Sequence, residues 1–430
     1  MTTAEKAALG KRAAEASLGL DADIKDRALE AMAEALRAGA AELLAANGED
    51  LAEAERGGLA APLLKRLGFD GEKLEVAIAG IGALRSLPDP VGRILSARRL
   101  DEGLVLRQVS CPIGLIAMIF ESRPDALIQM AALAAKSGNA VLLKGGREAA
   151  RTNRALAGLI YPAGLGAGLP EHWLTLLESR EEVAELLGLD EYVDLIVPRG
   201  SKEFVARIKA ESRIPVLGHA DGICHVYLHE DADATMAAAI TVDSKAQYPA
   251  ACNAAEVLLV HSDFASRGLS RVVRDLEAAG VRLDLCPRSA AALGRAPTKT
   301  DEDWSVEYLD LRMAVKVLDS LDEAIAHINR YGSHHTDAIV TISRDAAERF
   351  MNGVDSASVY WNASTRFADG YRYGLGAEVG ISTGKLHARG PVGLEGLCTY
   401  KWKLEGSGQV VADYASGSKR FLHEELGDGD

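Results

Sequence analysis

The 430-residue chain has only five cysteines, at positions 111, 224, 252, 286 and 398. They are odd in number, widely spaced and without a CxxC pair, which excludes a disulfide framework and a cysteine-held zinc site and fits a reducing compartment. Positive charge is not in excess: 48 Lys and Arg stand against 62 Asp and Glu, giving a formal charge of −14 and a pI near 5.3. Nucleic acid and anionic membrane are poor partners for such a chain. A few local arginines outweigh a diffuse charge at short range, so an anionic substrate stays open. No apolar run reaches the ~18 residues of a membrane helix. Met1-Thr-Thr-Ala-Glu-Lys6 lacks the basic start and apolar core of a signal peptide, so a cytoplasmic protein is expected. Internal repeats and low-complexity segments are absent as well. The histidines show no HExxH spacing, and the adjacent His334 and His335 point different ways, so no metal is expected. The α/β region has no GxGxxG, so the standard dinucleotide fingerprint is missing.

What is present is a chain with 48% hydrophobic residues, enough for two or three buried cores at this length. Residues 3–90 carry apolar residues at three- and four-residue spacing, clearest over Thr2–Lys11 and Asp21–Ala45, and predict helices. Arg93–Gln108 alternates polar and apolar residues around Asp101-Glu-Gly103 and predicts an exposed hairpin. From Pro112 the pattern changes. Ile113–Phe120 is a continuous apolar run, as in a strand buried on both faces, and strand and helix patterns alternate from there. Ala140–Leu143, Trp173–Leu177, Val193–Val197 and Cys224–Leu228 each precede a helical segment, and a second α/β block starts after Cys252. Two doubly wound α/β domains with ligands at the carboxyl ends of the strands are expected. The Gly-rich tail from Gly370 is irregular, and its acidic end Glu424–Asp430 is expected to fray.

Seven places carry chemistry. Cys252, in Gln247-Tyr-Pro-Ala-Ala-Cys-Asn-Ala-Ala-Glu256, stands between a turn and an apolar strand, where a nucleophile can be held rigidly yet open to a cleft; the plain alternative is a small buried hydrophobe. Phe120-Glu-Ser-Arg-Pro-Asp125 is a strand-to-helix turn. There Ser122 or Asp125 can cap the helix, Ser122 can donate to an oxyanion, and Arg123 can clamp an anion. Lys144-Gly145-Gly146 and Val197-Pro-Arg-Gly200-Ser201-Lys202 are strand–Gly–helix junctions at which a backbone can approach a phosphate or ribose. Gly218-His219-Ala-Asp221-Gly222, and the Gly-rich loops holding Arg366 and Arg389, supply polar groups and arginine clamps for a doubly anionic substrate.

Phe120-Glu-Ser-Arg-Pro124, Lys136–Val141, Gly218–Tyr227, Cys252-Asn-Ala254, Asp319–Thr341, Asp355–Gly370, Gly374–Ser382 and Lys385–Gly396 resemble, in order and over nearly the whole chain, the γ-glutamyl phosphate reductases. This family, also called glutamate-5-semialdehyde dehydrogenase, belongs to the aldehyde dehydrogenase superfamily. The resemblance implies an aldehyde dehydrogenase-like α/β fold in three parts: a cofactor domain of 1–92 and 113–245, a catalytic domain of 246–368, and a small β element combining 93–112 with 369–430 that joins subunits into a dimer or tetramer. It implies NADPH-dependent reduction of an acyl phosphate, L-glutamyl 5-phosphate, to glutamate 5-semialdehyde in proline biosynthesis, and association with glutamate 5-kinase. Cys252 is then the nucleophile, with Ser122 and Asn253 completing the catalytic set. Arg123, His219, Asp221, Asn362, Arg366 and Arg389 bind substrate, while Lys144, Gly145, Gly146, Gly200, Ser201 and Glu307 bind the cofactor. Two local departures stand out: Tyr-Pro-Ala-Ala precedes the cysteine where glycine and valine are usual, and Asp125 replaces an asparagine. Leu217–Gly222 matches the segment that carries the water-activating glutamate in ordinary aldehyde dehydrogenases, and it has no glutamate. The rival readings are a phosphate-independent NAD(P) aldehyde dehydrogenase and a non-catalytic scaffold for the kinase. Preference for NADPH over NADH is not legible.

Overall fold

A computed structural model describes residues 1–121, 123–218, 221–299 and 303–427. Three larger sheets and a two-stranded one, Gly380–Ser382 with Gly390–Val392, organise the described residues. The first is four-stranded and parallel, in the order Leu174–Leu176, Ala140–Lys144, Leu115–Phe120, Leu195–Arg199. Its central strand Leu115–Phe120 is buried along its whole length, as the unbroken apolar run requires. Each such side chain contributes about 1.5–3 kcal/mol when fully buried. Helices Ala22–Ala38, Gly71–Arg85, Pro124–Ser137 and Ala150–Ala167 close one core, which also takes Val379, Val392, Leu394 and Leu397 from the C-terminal stretch. Helix Thr3–Ser17 lies over the opposite face.

The second sheet is six-stranded and parallel, in the order Ser358–Trp361, Thr336–Val340, Cys224–Leu228, Ala255–His261, Arg312–Leu318, Arg282–Leu285. This corrects the assignment of Cys224–Leu228 to the first block. The strand pairs with Ala255–His261 and Thr336–Val340, a non-local choice that its apolar pattern cannot report. The helical run read over Asp21–Ala45 is broken at a glycine, and a second glycine, Gly268, separates Ser262–Arg267 from Leu269–Ala278. At Gly39, between Ala22–Ala38 and Ala40–Arg56, a Cβ would stand 2.3 Å from Leu159. At Gly268 it would stand 2.3 Å from the Phe264 ring.

The third sheet is the antiparallel arm. Ile94–Asp101 and Leu104–Pro112 form the hairpin, turning at Gly103 with φ 69°. Cys398–Glu405 pairs along the whole of Leu104–Pro112 apart from its first residue. Glu424 and Glu425, expected to fray, instead add a short strand opposite Arg99 and Arg98, with ion pairs at 3.1 and 3.2 Å. Among the described residues no helix is long and apolar enough to cross a membrane.

Candidate active site

The carboxyl edge of the four-stranded sheet faces the amino edge of the six-stranded one across a cleft of about 3210 Å³. Lys144, Arg199 and Gly200 line it from one side, and Cys252, Glu307 and Glu378 from the other.

Cys252 is half-buried, in the turn between helix Ala234–Ala246 and strand Ala255–His261. Backbone bonds from Ala251 to Tyr248 and from Ala254 to Ala251 close that turn. The backbone of Gly222 packs directly on it: a Cβ there would lie 2.0 Å from the Cys252 carbonyl oxygen, so no other residue fits. The buried Cys224 thiol donates to the same carbonyl at 3.4 Å. Asn253 is turned away from the cleft, with its amide Nδ2 donating to the Ala368 carbonyl at 2.8 Å. Glu256 pairs with Lys245 at 2.6 Å, both fully buried, and accepts from the Leu309 N–H at 3.3 Å, so one ion pair ties the segment carrying Glu307 to the base of the nucleophile turn.

His335 is the imidazole at hydrogen-bond distance from the thiol. Its Nε2 lies 3.2 Å from the Cys252 Sγ and its Nδ1 lies 2.8 Å from the Thr336 hydroxyl. With the Nδ1 proton donated to Thr336, Nε2 is an acceptor for the thiol proton. Burial pushes the Cys252 thiol up to about 12, with Glu378 and Glu307 adding to the rise and Arg366 and Arg199 opposing it. A sulfur in that state needs a base at hydrogen-bond distance, and His335 is there. Burial also raises Glu307 and Glu378 above the usual carboxylate range. Each has one oxygen committed to a backbone donor, Glu307 to the Gly222 N–H at 2.9 Å and Glu378 to the Gly370 N–H at 2.8 Å.

The proposed clamps separate. Arg366 is buried close enough to Cys252 to act on its thiol, with Nε on Gln247 at 2.9 Å and the guanidinium over the Tyr248 ring. Arg123 is half-exposed on the rim and pairs with Asp125 at 2.9 Å; Asp125 therefore does not cap the helix, which Pro124 opens without a side-chain cap. Arg389 is held by Asp355 at 3.1 Å, a carboxylate it shares with Lys385. Asn362 is not brought to Cys252. Its amide is spent on the backbone of Thr341, at 2.9 and 3.0 Å, beyond the carboxyl ends of its strands, whereas Cys252 and His335 precede the amino ends of theirs.

On the cofactor edge, the Lys144 ammonium donates to the Gly145 carbonyl at 2.5 Å, and burial lowers its pKa. Gly145 and Gly200 leave no room for a side chain: a Cβ would meet Asn153 at 2.1 Å and Glu121 at 2.4 Å respectively. Ser201 caps helix Lys202–Glu211, and its N–H donates to Glu121 at 2.8 Å. Lys202 forms an ion pair with Asp221 across the cleft mouth. Glycine-lined strand ends, a lysine and a helix start are a set that fits a dinucleotide.

Ser122 and His219 lie outside the described residues. Sequence reasoning missed His335, Arg199 and Glu378. His335 was read only for metal spacing, and its partner is a residue 83 positions away; Arg199 was passed over as part of a junction. The Gly380-Ile-Ser-Thr-Gly384 stretch has the letters of a serine nucleophile elbow, but Gly380–Ser382 is an antiparallel strand with Ser382 buried, not a strand-to-helix turn.

Residues 2–290 match the family model described as the aldehyde dehydrogenase family, which defines the class of fold and cleft. A γ-glutamyl phosphate reductase from Pelotomaculum thermopropionicum is 55% identical, covering 97% of each chain. One from Acetivibrio thermocellus is 54% identical, covering 96% of each. The crystal structure of γ-glutamyl phosphate reductase from Thermotoga maritima superposes with a TM-score of 0.93 at 36% identity, covering 95% of this chain and 100% of that one. The chain belongs to the aldehyde dehydrogenase superfamily and, within it, to the γ-glutamyl phosphate reductase family.

Proposed function

We propose that this chain reduces L-glutamyl 5-phosphate to L-glutamate 5-semialdehyde with release of phosphate, as a step of proline biosynthesis. The observation that carries the reading is the Cys252 Sγ set 3.2 Å from the His335 Nε2, in a cleft that Cys252 lines together with Lys144, Arg199 and Glu307. Lys144, Gly145, Gly146, Gly200, Ser201 and Glu307 would hold NADPH at the glycine-lined edge, and the cofactor would supply the hydride. His335 takes the thiol proton as Sγ attacks the acyl carbon. A C–S bond forms, the C–O bond to phosphate breaks, and phosphate leaves with the electron pair. Backbone N–H groups beside Cys252, with Ser122, hold the oxyanion of the thioester-forming step. After reduction the thiohemiacetal releases aldehyde as the proton on His335 returns to sulfur. The segment before Gly222 offers no glutamate to activate water, and Glu307 and Glu378 are each tied to a backbone donor, so the thioester is protected from hydrolysis. Arg366 meets the α-carboxylate, and Asp221 and His219 are assigned to the substrate amino group. The arm, whose outer strand exposes Tyr400, Trp402 and Leu404, joins subunits into a dimer or tetramer. Association with glutamate 5-kinase would deliver the labile acyl phosphate.

The test runs backwards from glutamate 5-semialdehyde and NADP⁺, following NADPH absorbance with and without inorganic phosphate. Phosphate-dependent signal that Cys252→Ser lowers by on the order of 10⁴-fold or more is the expected result. Signal without phosphate makes the protein an ordinary aldehyde dehydrogenase, and no signal at all favours the scaffold.

A further inference from the structure

Of Arg123, Arg199, Arg366 and Arg389, three have partners that occupy them. Arg123 is on Asp125, Arg389 on Asp355, and Arg366 on Gln247 and the Tyr248 ring. Arg199 differs. It ends the strand Leu195–Arg199 immediately before Gly200, lines the open cleft opposite Cys252, and makes one long contact, to the Glu378 carbonyl at 3.5 Å. Among the described residues it has no carboxylate partner. Burial and the neighbouring Arg123 guanidinium both work against its charge, and the Cys252 sulfur lies within its electrostatic reach. A half-buried guanidinium with free donors is incompletely solvated and favours an anion that can accept two parallel bonds.

We infer that Arg199 is the phosphate-binding group of this site, holding the phosphoryl end of the acyl phosphate in one direction and inorganic phosphate in the other. The assignment rests on the acyl-phosphate reading above. The phosphate is bonded to the carbon that Cys252 attacks, so its site must lie next to the sulfur; it also leaves and exchanges with solvent, so its site must open to the cleft. Arg199 meets both conditions. Arg366 is 8% exposed and does not line the cleft, which suits the end of the substrate that stays bound. Arg123, on the rim beside Arg199, adds a second positive charge along the exit path.

The experiment uses the full chain with Arg199→Met and Arg199→Lys, each checked for folding by circular dichroism. In the reverse reaction Arg199→Met is expected to raise the KM for inorganic phosphate by about tenfold or more, the loss of one charge-assisted pair, with the KM for NADP⁺ within about twofold of wild type. Arg199→Lys keeps the charge without the fork and falls between. Separately, inorganic phosphate is titrated against alkylation of Cys252 by iodoacetamide, read by mass spectrometry without turnover. Phosphate protects the wild type, and in Arg199→Met the protection midpoint moves to higher phosphate by the same factor. An unchanged midpoint in either variant overturns the assignment, as does a raised KM for NADP⁺ with phosphate unaffected, which would give Arg199 to the cofactor. A wild-type reaction with no phosphate requirement sinks the acyl-phosphate reading instead, and the protection titration still decides whether Arg199 holds an anion.

Discussion

The two walls of the cleft are built on different terms. On the four-stranded sheet, two strand ends present glycines, a lysine and an arginine, and a helix start follows the second. On the six-stranded sheet, the opposite edge presents a thiol, an imidazole and carboxylates that are buried or half-buried and wired to backbone donors. The first wall needs shape, because a dinucleotide is recognised along its length by many modest contacts. The second needs position to within a fraction of an ångström, because reacting groups tolerate little misplacement. The catalytic wall should therefore fail sharply under single substitutions and the cofactor wall gradually.

His335→Asn is the hardest test of that asymmetry. Loss of the base should lower kcat by about 10²–10⁴-fold while the KM for nucleotide stays close to wild type; full activity in steady-state assays would leave Cys252 without the partner assigned to it. Lys245→Met comes next. It strands the buried Glu256 carboxyl, whose pKa burial already raises to about 7, and breaking such a pair costs about 3–5 kcal/mol, readable as a lower urea midpoint. Gly222→Ala forces a Cβ onto the Cys252 carbonyl, and a displacement of about 1 Å at the nucleophile costs on the order of 10² in kcat; a normal rate would mean the turn adapts. The pH dependence of Cys252 alkylation sharpens the picture of the free site. A thiol raised to about 12 is protonated throughout the neutral range. Its rate should climb about tenfold per pH unit from 7 to 10, and a plateau near 8.5 would mean an unperturbed thiol. Ser201→Ala on the cofactor wall should do least. Loss of its cap on helix Lys202–Glu211 costs about 0.5–1 kcal/mol, with at most a few-fold rise in the KM for nucleotide in the same assay.

Much of this was legible in residue order. The apolar run before Phe120, the glycines after Lys144 and Arg199, the hairpin turn at Gly103 and the placing of Cys252 at an element boundary all follow from local chemistry, and the structure has them there. The errors share one cause. Cys224–Leu228 joined the wrong sheet, Asn362 was put with the substrate, and His335 was set aside, because each depends on a partner distant in sequence. Asp125 was offered as a helix cap, but a neighbouring Arg123 competes for its carboxylate.

Periodicity, turn residues and an ordered set of motifs determined the class of fold and the family and singled out Cys252 as the proposed nucleophile, since these are written in spacings of a few residues. Only the tertiary structure decided which charges remain unpaired beside that nucleophile. Arg123, Arg199, Arg366 and Arg389 are equivalent as letters, and what separates them is whether folding has set a carboxylate, an amide or nothing but a distant carbonyl against each guanidinium. That is settled by long-range packing, because a charge buried without a partner is costly and is retained where a ligand completes it.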